Sequence, residues 1–203
     1  MSPREVVIIA SGGANIASLQ YALERLDAPS TQTADFERIR AASHVILPGV
    51  GAAADAMQRL RQLNLHTLLP DLRQPVLGIC LGMQLLFESS DEGGIPGGVP
   101  CLGVIPGRAA RFAPGIGRPV PHMGWNTLQR ERASPLLEGL APGSYAYFVH
   151  SYALTVNRAT TSSCTYGERF SATVEWRNFF GAQFHPERSA QVGAAVLRNF
   201  LAL

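Results

Sequence analysis

Apolar residues recur along the chain in two rhythms. Val6-Val7-Ile8-Ile9-Ala10, His44 to Leu47 and Val76 to Ile79 are short, unbroken runs rich in branched side chains. Runs this brief predict strands buried on both faces. Between them the spacing lengthens to three or four. Ile16, Leu19, Leu23 and Leu26 follow a Gly-Gly turn at 12–13, with Asn15 placed to cap a helix. The Ala-rich stretch from Ala52 to Leu63 sets Met57, Leu60 and Leu63 on one face, and a further helix is predicted from Leu81 to Phe87. Strand and helix alternating three times predict an α/β fold with a mostly parallel sheet.

From Glu92 to Pro121 glycine and proline are frequent and no period is sustained, so short strands and surface loops are expected. Strands return at Tyr145 to Leu154, Phe170 to Trp176 and Phe179 to Gln183, the last two joined by a tight turn at Arg177-Asn178. An amphipathic helix, Gln191 to Leu201, closes the chain with Val192, Val196, Leu197 and Phe200. No repeat and no linker divides it, so 1–203 reads as one domain.

Composition narrows the function. Of 203 residues, 46% are hydrophobic and only 16% charged, enough for a substantial core. A net charge of +2 with no basic cluster argues against a nucleic-acid partner. The longest nearly apolar run, Pro75 to Phe87, falls well short of the ~20 residues that span a bilayer. Val6 to Ala10 is too short for a signal-peptide core. Three cysteines, Cys80, Cys101 and Cys164, give an odd count without a CxxC spacing. A reducing cytoplasm is the expected location.

The sharpest local feature is Gly78-Ile79-Cys80-Leu81-Gly82, where a buried strand has to turn abruptly into a helix. A nucleophile there sits at the tip of a strained elbow, and flanking glycines let neighbouring backbone pack against it. The helix start behind it favours negative charge, and the Leu81 amide is placed to meet an oxyanion. On this segment alone Cys80 is equally readable as a small buried hydrophobe. Among five histidines, His44 and His66 read as structural or surface residues. His185 follows the apolar run 179–184, where a side chain enters the crevice of an open α/β sheet, and Glu187 two residues on can orient it. A capped strand end with a surface Glu is the plainer alternative. Two candidate chemical groups at strand ends of one sheet favour the catalytic reading. Pro48-Gly49-Val50-Gly51 follows another strand and can bring a second amide donor, and Gln84 lies one helical turn beyond Cys80.

Gly78-Ile79-Cys80-Leu81-Gly82-Met83-Gln84, together with Gln183-Phe184-His185-Pro186-Glu187, resembles the triad-type (class I) glutamine amidotransferases. Pro48 to Gly51, His122-Met123-Gly124-Trp125-Asn126 and Tyr147-Phe148-Val149-His150-Ser151-Tyr152 narrow the resemblance to glutaminase subunits that serve a (β/α)8-barrel cyclase. It covers essentially the whole chain. It implies a flavodoxin-like domain that releases ammonia from L-glutamine without metal or cofactor. Cys80 would be the nucleophile, His185 its base and Glu187 the residue that orients His185. Val50 and Leu81 would supply the oxyanion amides. Gly49, Gln84, His150, Ser151 and Tyr152 would hold the glutamine. Asn15, His122, Met123, Trp125, Asn126 and Arg188 would meet the cyclase, which forms imidazole glycerol phosphate and an aminoimidazole carboxamide ribotide.

Two departures stand out. Ala10-Ser11-Gly12-Gly13-Ala14-Asn15 replaces the family's Asp-Tyr-Gly-x-Gly-Asn, and Arg188 stands where Lys is usual. Both bear on signalling between subunits rather than on the chemistry. A glutaminase feeding another synthase, a silent regulatory module and a thiol hydrolase are the rival readings. His122 to Asn126, the intact Cys80 and His185, and Gln84 with Glu187 weigh against them in turn.

Overall fold

A computed structural model describes residues 5–10, 16–93 and 96–203. The predicted turn at 12–13, the Asn15 cap and the departures at 11–14 lie outside the described residues. Strand β1 (Val6–Ile9) is flanked by β2 (Ser30–Thr33) and β3 (His44–Leu47), followed by β4 (Val76–Ile79). All four run parallel. Their side chains alternate between two cores, which is why the runs are apolar without interruption. Val7, Ile9, Val45 and Leu47 pack with α2 (Phe36–Ala41), α3 (Ala53–Gln62) and α4 (Leu65–Leu68). Val6, Ile8 and Ile46 pack with α1 (Ile16–Glu24) and the C-terminal α6 (Ala190–Leu201). Between these, α5 (Leu81–Leu85) follows β4.

The middle of the chain supplies β5 (Phe87–Ser90), β6 (Val99–Pro100), β7 (Ile105–Arg111), β8 (His122–Thr127) and β9 (Gln129–Arg130). The last third adds β10 (Tyr145–His150), β11 (Tyr152–Leu154), β12 (Thr160–Tyr166), β13 (Glu168–Trp176) and β14 (Phe179–Ala182). The main sheet runs β2-β1-β3-β4-β14-β13-β12-β9. Its first five strands are parallel in the flavodoxin-like order, and the remaining three add antiparallel. A four-stranded sheet, β11-β7-β5-β6, and a ribbon of β8 and β10 complete the fold.

Several expectations are corrected. The helix predicted to Phe87 ends at Leu85, because Phe87 is drawn into β5 by pairing with Ile105 on β7. Leu63 is the C-cap of α3 and is exposed rather than on the buried face. The predicted strand 145–154 breaks at Ser151, since β10 pairs with β8 while β11 pairs with β7 in another sheet. The segment 122–126, to which the sequence assigned no element, lies in a strand. The turn at Arg177-Asn178 forms as expected, with Arg177 at φ 58°.

Candidate active site

The elbow forms where the sequence places it. Cys80 links β4 to α5 at φ 52° and ψ −111°, a backbone state that costs a non-glycine residue roughly 1–3 kcal/mol. Its N–H donates to the Ala182 carbonyl at 2.8 Å, so β14 holds the strained residue in register. The neighbouring glycines are fixed by close approach. A Cβ on Gly82 would lie 1.8 Å from the Leu47 carbonyl oxygen, and one on Gly78 would lie 2.7 Å from the Met83 backbone. A Cβ on Gly49 would lie 2.7 Å from the Gly82 nitrogen, so the 48–51 loop is pressed onto the start of α5.

His185 follows β14, the parallel neighbour of β4. Its Nδ1 is 2.9 Å from Oε1 of Glu187, and both side chains are buried. A carboxylate can only accept, so Nδ1 carries the proton and Nε2 is turned to other work. Burial pulls the His185 pKa down, but hydrogen bonding to Cys80 and Glu187 and their negative charge outweigh it, raising the value to about 10. The imidazole therefore holds a proton readily once it has taken one. Cys101 and Cys164 are the other two thiols of the chain. Burial pushes their thiols up to about 11 and about 12, with no histidine acting on either, and all three cysteines are free thiols.

Cys80, His185 and Glu187 line one cleft of ≈ 410 Å³ at the carboxyl ends of β3, β4 and β14. Val50, Leu81, Gly49, Gln84, His150, Ser151, Tyr152 and Arg188 line it too. Strands adjacent in the sheet thus bring together residues more than a hundred positions apart. Gln84 is more committed than its spacing indicated. Both its N–H groups are used internally, on the Tyr152 carbonyl at 2.8 Å and on Oε1 of Gln183 at 2.9 Å. Its own Oε1 is what it can offer a substrate.

Two residues at the site were not singled out from sequence. Glu92 lines the cleft and accepts the Ala53 N–H at 3.0 Å. Burial raises its pKa, that hydrogen bond opposes the rise, and Asp55 adds to it. It lies in the Gly-rich middle segment, where nothing periodic marks it. Gln183, fully buried, donates to Sγ of Cys80 at 3.7 Å. Its place two residues before His185 was the available signal.

The six residues assigned to a partner surface divide by strand alternation. Met123 and Trp125 are 66% and 53% exposed on one face of the β8–β10 ribbon. Trp125 meets Tyr147 edge-on at 6.0 Å on the facing strand. His122 points the other way and is buried between Phe148 and Tyr166, so its side chain does not belong to that surface. Asn126 shares its side and spends its amide on Thr165 and His122. Adjacent strand residues face opposite ways, which was not visible while the segment had no assigned element. Arg188 is exposed at the cleft, and Asn15 lies outside the described residues.

The same ribbon supports the site. The His185 N–H donates to the Tyr147 carbonyl at 3.0 Å, and the Cys80 thiol faces the Val149 carbonyl at 3.8 Å.

Residues 9–203 match the family model of class-I glutamine amidotransferases. The chain belongs to this family. It is 51% identical over 197 residues to the imidazole glycerol phosphate synthase subunit HisH of Xylella fastidiosa (strain Temecula1), covering 97% of this chain and 96% of that protein. It is 50% identical over 198 residues to subunit HisH 2 of Legionella pneumophila, covering 98% of each. Among solved structures, PurLQS from Thermotoga maritima aligns with a TM-score of 0.71 at 19% identity, covering 100% of this chain and 99% of the matched one. A glutamine amidotransferase, also from Thermotoga maritima, gives 0.69 at 15%, covering 99% and 97%. These two likenesses establish the fold.

Proposed function

We propose that this chain is the glutaminase subunit of an imidazole glycerol phosphate synthase in histidine biosynthesis. What carries the reading is the placement of a strained cysteine and a His–Glu pair at the ends of adjacent parallel strands, opening into one cleft. The half-sequence identity to HisH subunits, over nearly the full length of both, supports the synthase assignment.

His185 takes the thiol proton while Sγ of Cys80 attacks the side-chain carbonyl carbon of glutamine. The oxyanion is met by the Val50 and Leu81 amides. His185 returns its proton to the amide nitrogen, the C–N bond breaks, and ammonia leaves. A glutamyl thioester remains on Cys80. His185 then deprotonates a water that attacks the thioester, and glutamate departs as the thiol is restored. Glu187 keeps Nδ1 protonated and Nε2 toward the sulfur. Gly49 and the 150–152 strand hold the substrate's amino-acid end, with the Gln84 Oε1 and the Glu92 carboxylate as acceptors for its ammonium group.

The ammonia passes to a cyclase subunit of the HisF, (β/α)8-barrel type, docked on the Met123–Trp125 face of the ribbon in a heterodimer. This reading places the pair in the reducing cytoplasm; among the described residues no helix is long and apolar enough to cross a membrane, and the three cysteines are free thiols. The docking face lies on β8, and its partner strand β10 holds His185 through Tyr147 and faces Cys80 through Val149, so docking and catalysis share one ribbon. The Val50 N–H lies in the Gly49–Val50 peptide, and glycine on either side of Val50, with open space around Gly51 at φ 89°, permits that peptide to turn.

The isolated chain is accordingly expected to hydrolyse glutamine poorly. Adding the cyclase with its nucleotide should raise the rate at least about tenfold, worth ~1.4 kcal/mol of barrier. Equal rates with and without the cyclase would overturn the assignment. Trp125→Ala should weaken cyclase binding by about 2 kcal/mol, roughly thirtyfold in Kd by calorimetry. Because Trp125 is already half exposed, the melting temperature of the free chain should change little. A large loss of melting temperature at unchanged affinity would place the interface elsewhere.

A further inference from the structure

We propose that Gln183 is the amide that holds the Cys80 sulfur in place and stabilises its negative charge, with its orientation dictated by Gln84 and the Tyr152 carbonyl. The inference rests on reading Cys80 as the nucleophile.

The orientation follows from elimination. An amide side chain can be turned end for end, so its direction needs an outside constraint. The Tyr152 carbonyl can only accept, and it lies 2.8 Å from Gln84 Nε2. Gln84 therefore presents its NH₂ end there, and its second N–H falls on Gln183 at 2.9 Å. That places an acceptor, Oε1, at the Gln84 side of Gln183. Its NH₂ end is consequently the one aimed at Cys80, 3.7 Å from Sγ. Reversing either amide would set two donors or two acceptors against each other in a site where Gln84 is 3% exposed and Gln183 0%. Buried clashes of that kind are costly enough to exclude the reversed form.

The constraint extends further back. His150 also donates Nδ1–H to the Tyr152 carbonyl, at 2.8 Å, so that carbonyl is fully used. The remaining nitrogen of His150 accepts from Nδ1 of His122 at 3.1 Å, and Nε2 of His122 accepts from Asn126 at 3.3 Å. Burial lowers the pKa of His150 to about 3 and that of His122 to about 4, so both rings stay neutral and keep these tautomers at neutral pH. Donors thus run from Asn126 through His122 and His150 to the Tyr152 carbonyl, which also accepts from Gln84, and from Gln84 through Gln183 to the sulfur.

The sulfur has two further faces. With its proton in place, the thiol donates to the Val149 carbonyl at 3.8 Å. Once that proton is transferred to His185, the same carbonyl repels the charged sulfur. The Gln183 N–H then becomes the compensating donor, and a hydrogen bond to an ionised acceptor is about twice as strong as a neutral one. The sulfur is charged again when it leaves the thioester, so the donor serves both half-reactions.

The test is the pH dependence of Cys80 alkylation by iodoacetamide in the full chain, followed by mass spectrometry of the Cys80 peptide. The ionisable groups that line the cleft with the sulfur are His185, Glu187, His150, Tyr152, Glu92 and Arg188, and the variants leave all of them in place. In Gln183→Met the alkylation midpoint should rise by about one pH unit, with roughly tenfold slower alkylation at neutral pH. Gln183→Glu keeps the acceptor for Gln84 but replaces the donor with an oxygen, and should raise the midpoint further. In the cyclase complex kcat should fall about tenfold while KM for glutamine stays within about twofold. In the unsubstituted chain the Gln183 side-chain amide resonance should titrate with the alkylation midpoint. A resonance that ignores that midpoint, or folded variants whose profiles superimpose on the parent's, would overturn the proposal. Failure of the parent's Cys80 to alkylate selectively would instead sink the nucleophile reading on which it rests.

Discussion

Cys80→Ala is expected to lower glutamine hydrolysis by at least ~10⁴-fold while leaving the chain folded and able to bind the cyclase. In the proposed mechanism the thiol supplies the bond-forming atom, and no other cysteine lines the cleft. His185 would still be aligned by Glu187 but would have nothing to deprotonate except water. The structural cost is small by comparison. Alanine accepts the backbone geometry at φ 52° no worse than cysteine does, and Cys80, although it packs into a core cluster, also lines the cleft. A stability change within about 1 kcal/mol follows, equivalent to a shift of ~2–4 °C in melting temperature for a chain of this size. The variant complex should still form product from added ammonium salts, because external ammonia needs no thiol. Glutamine turnover within about tenfold of the parent would end the triad reading.

How much of this was legible beforehand depends on what each residue does in the fold. Strands buried on both faces, such as Val6–Ile9 and Val76–Ile79, are apolar throughout and so announce themselves. Ser30–Thr33 does not, because it is a partly exposed edge strand of hydroxyl and amide side chains. Thr160–Tyr166 is buried yet polar, since its hydroxyls bond across to β13, as between Thr160 and Ser171 at 2.8 Å. No hydropathy rhythm can mark such a strand. The proposed triad was legible because its motifs sit at abrupt transitions between elements. Glu92 and Gln183 were not, because their contacts are long-range, Gln183 to Cys80 across 103 positions and Glu92 to Ala53 across 39. The inward turn of His122 was hidden for a different reason. Glycine and proline around it mask the strand period that separates it from Met123 and Trp125.

Gly82→Ala is expected to destabilise the chain by about 3 kcal/mol, although alanine is the better helix former by ~1 kcal/mol. The gain in propensity acts on a five-residue helix, whereas the new Cβ would lie 1.8 Å from the Leu47 carbonyl oxygen and 2.8 Å from its carbon. Both atoms are backbone at the end of β3, so no side chain can swing aside. Relief requires moving α5 away from β3, and α5 begins at the elbow. The displacement therefore reaches Cys80, Leu81 and the 48–51 loop, which is packed on the Gly82 nitrogen through Gly49. Melting temperature should fall by about 6–12 °C, from ~2–4 °C per kcal/mol at this length. Glutaminase activity in the cyclase complex should drop more than about tenfold even well below the melting transition, because the oxyanion amides separate. Gly51→Ala is the control. It adds a side chain at φ 89° where nothing lies within 4 Å, so it should cost only the backbone strain, about 1 kcal/mol. If Gly82→Ala melted within about 2 °C of the parent, the approach of α5 to β3 would have slack, and the glycine would be explained by the tightness of the elbow turn alone.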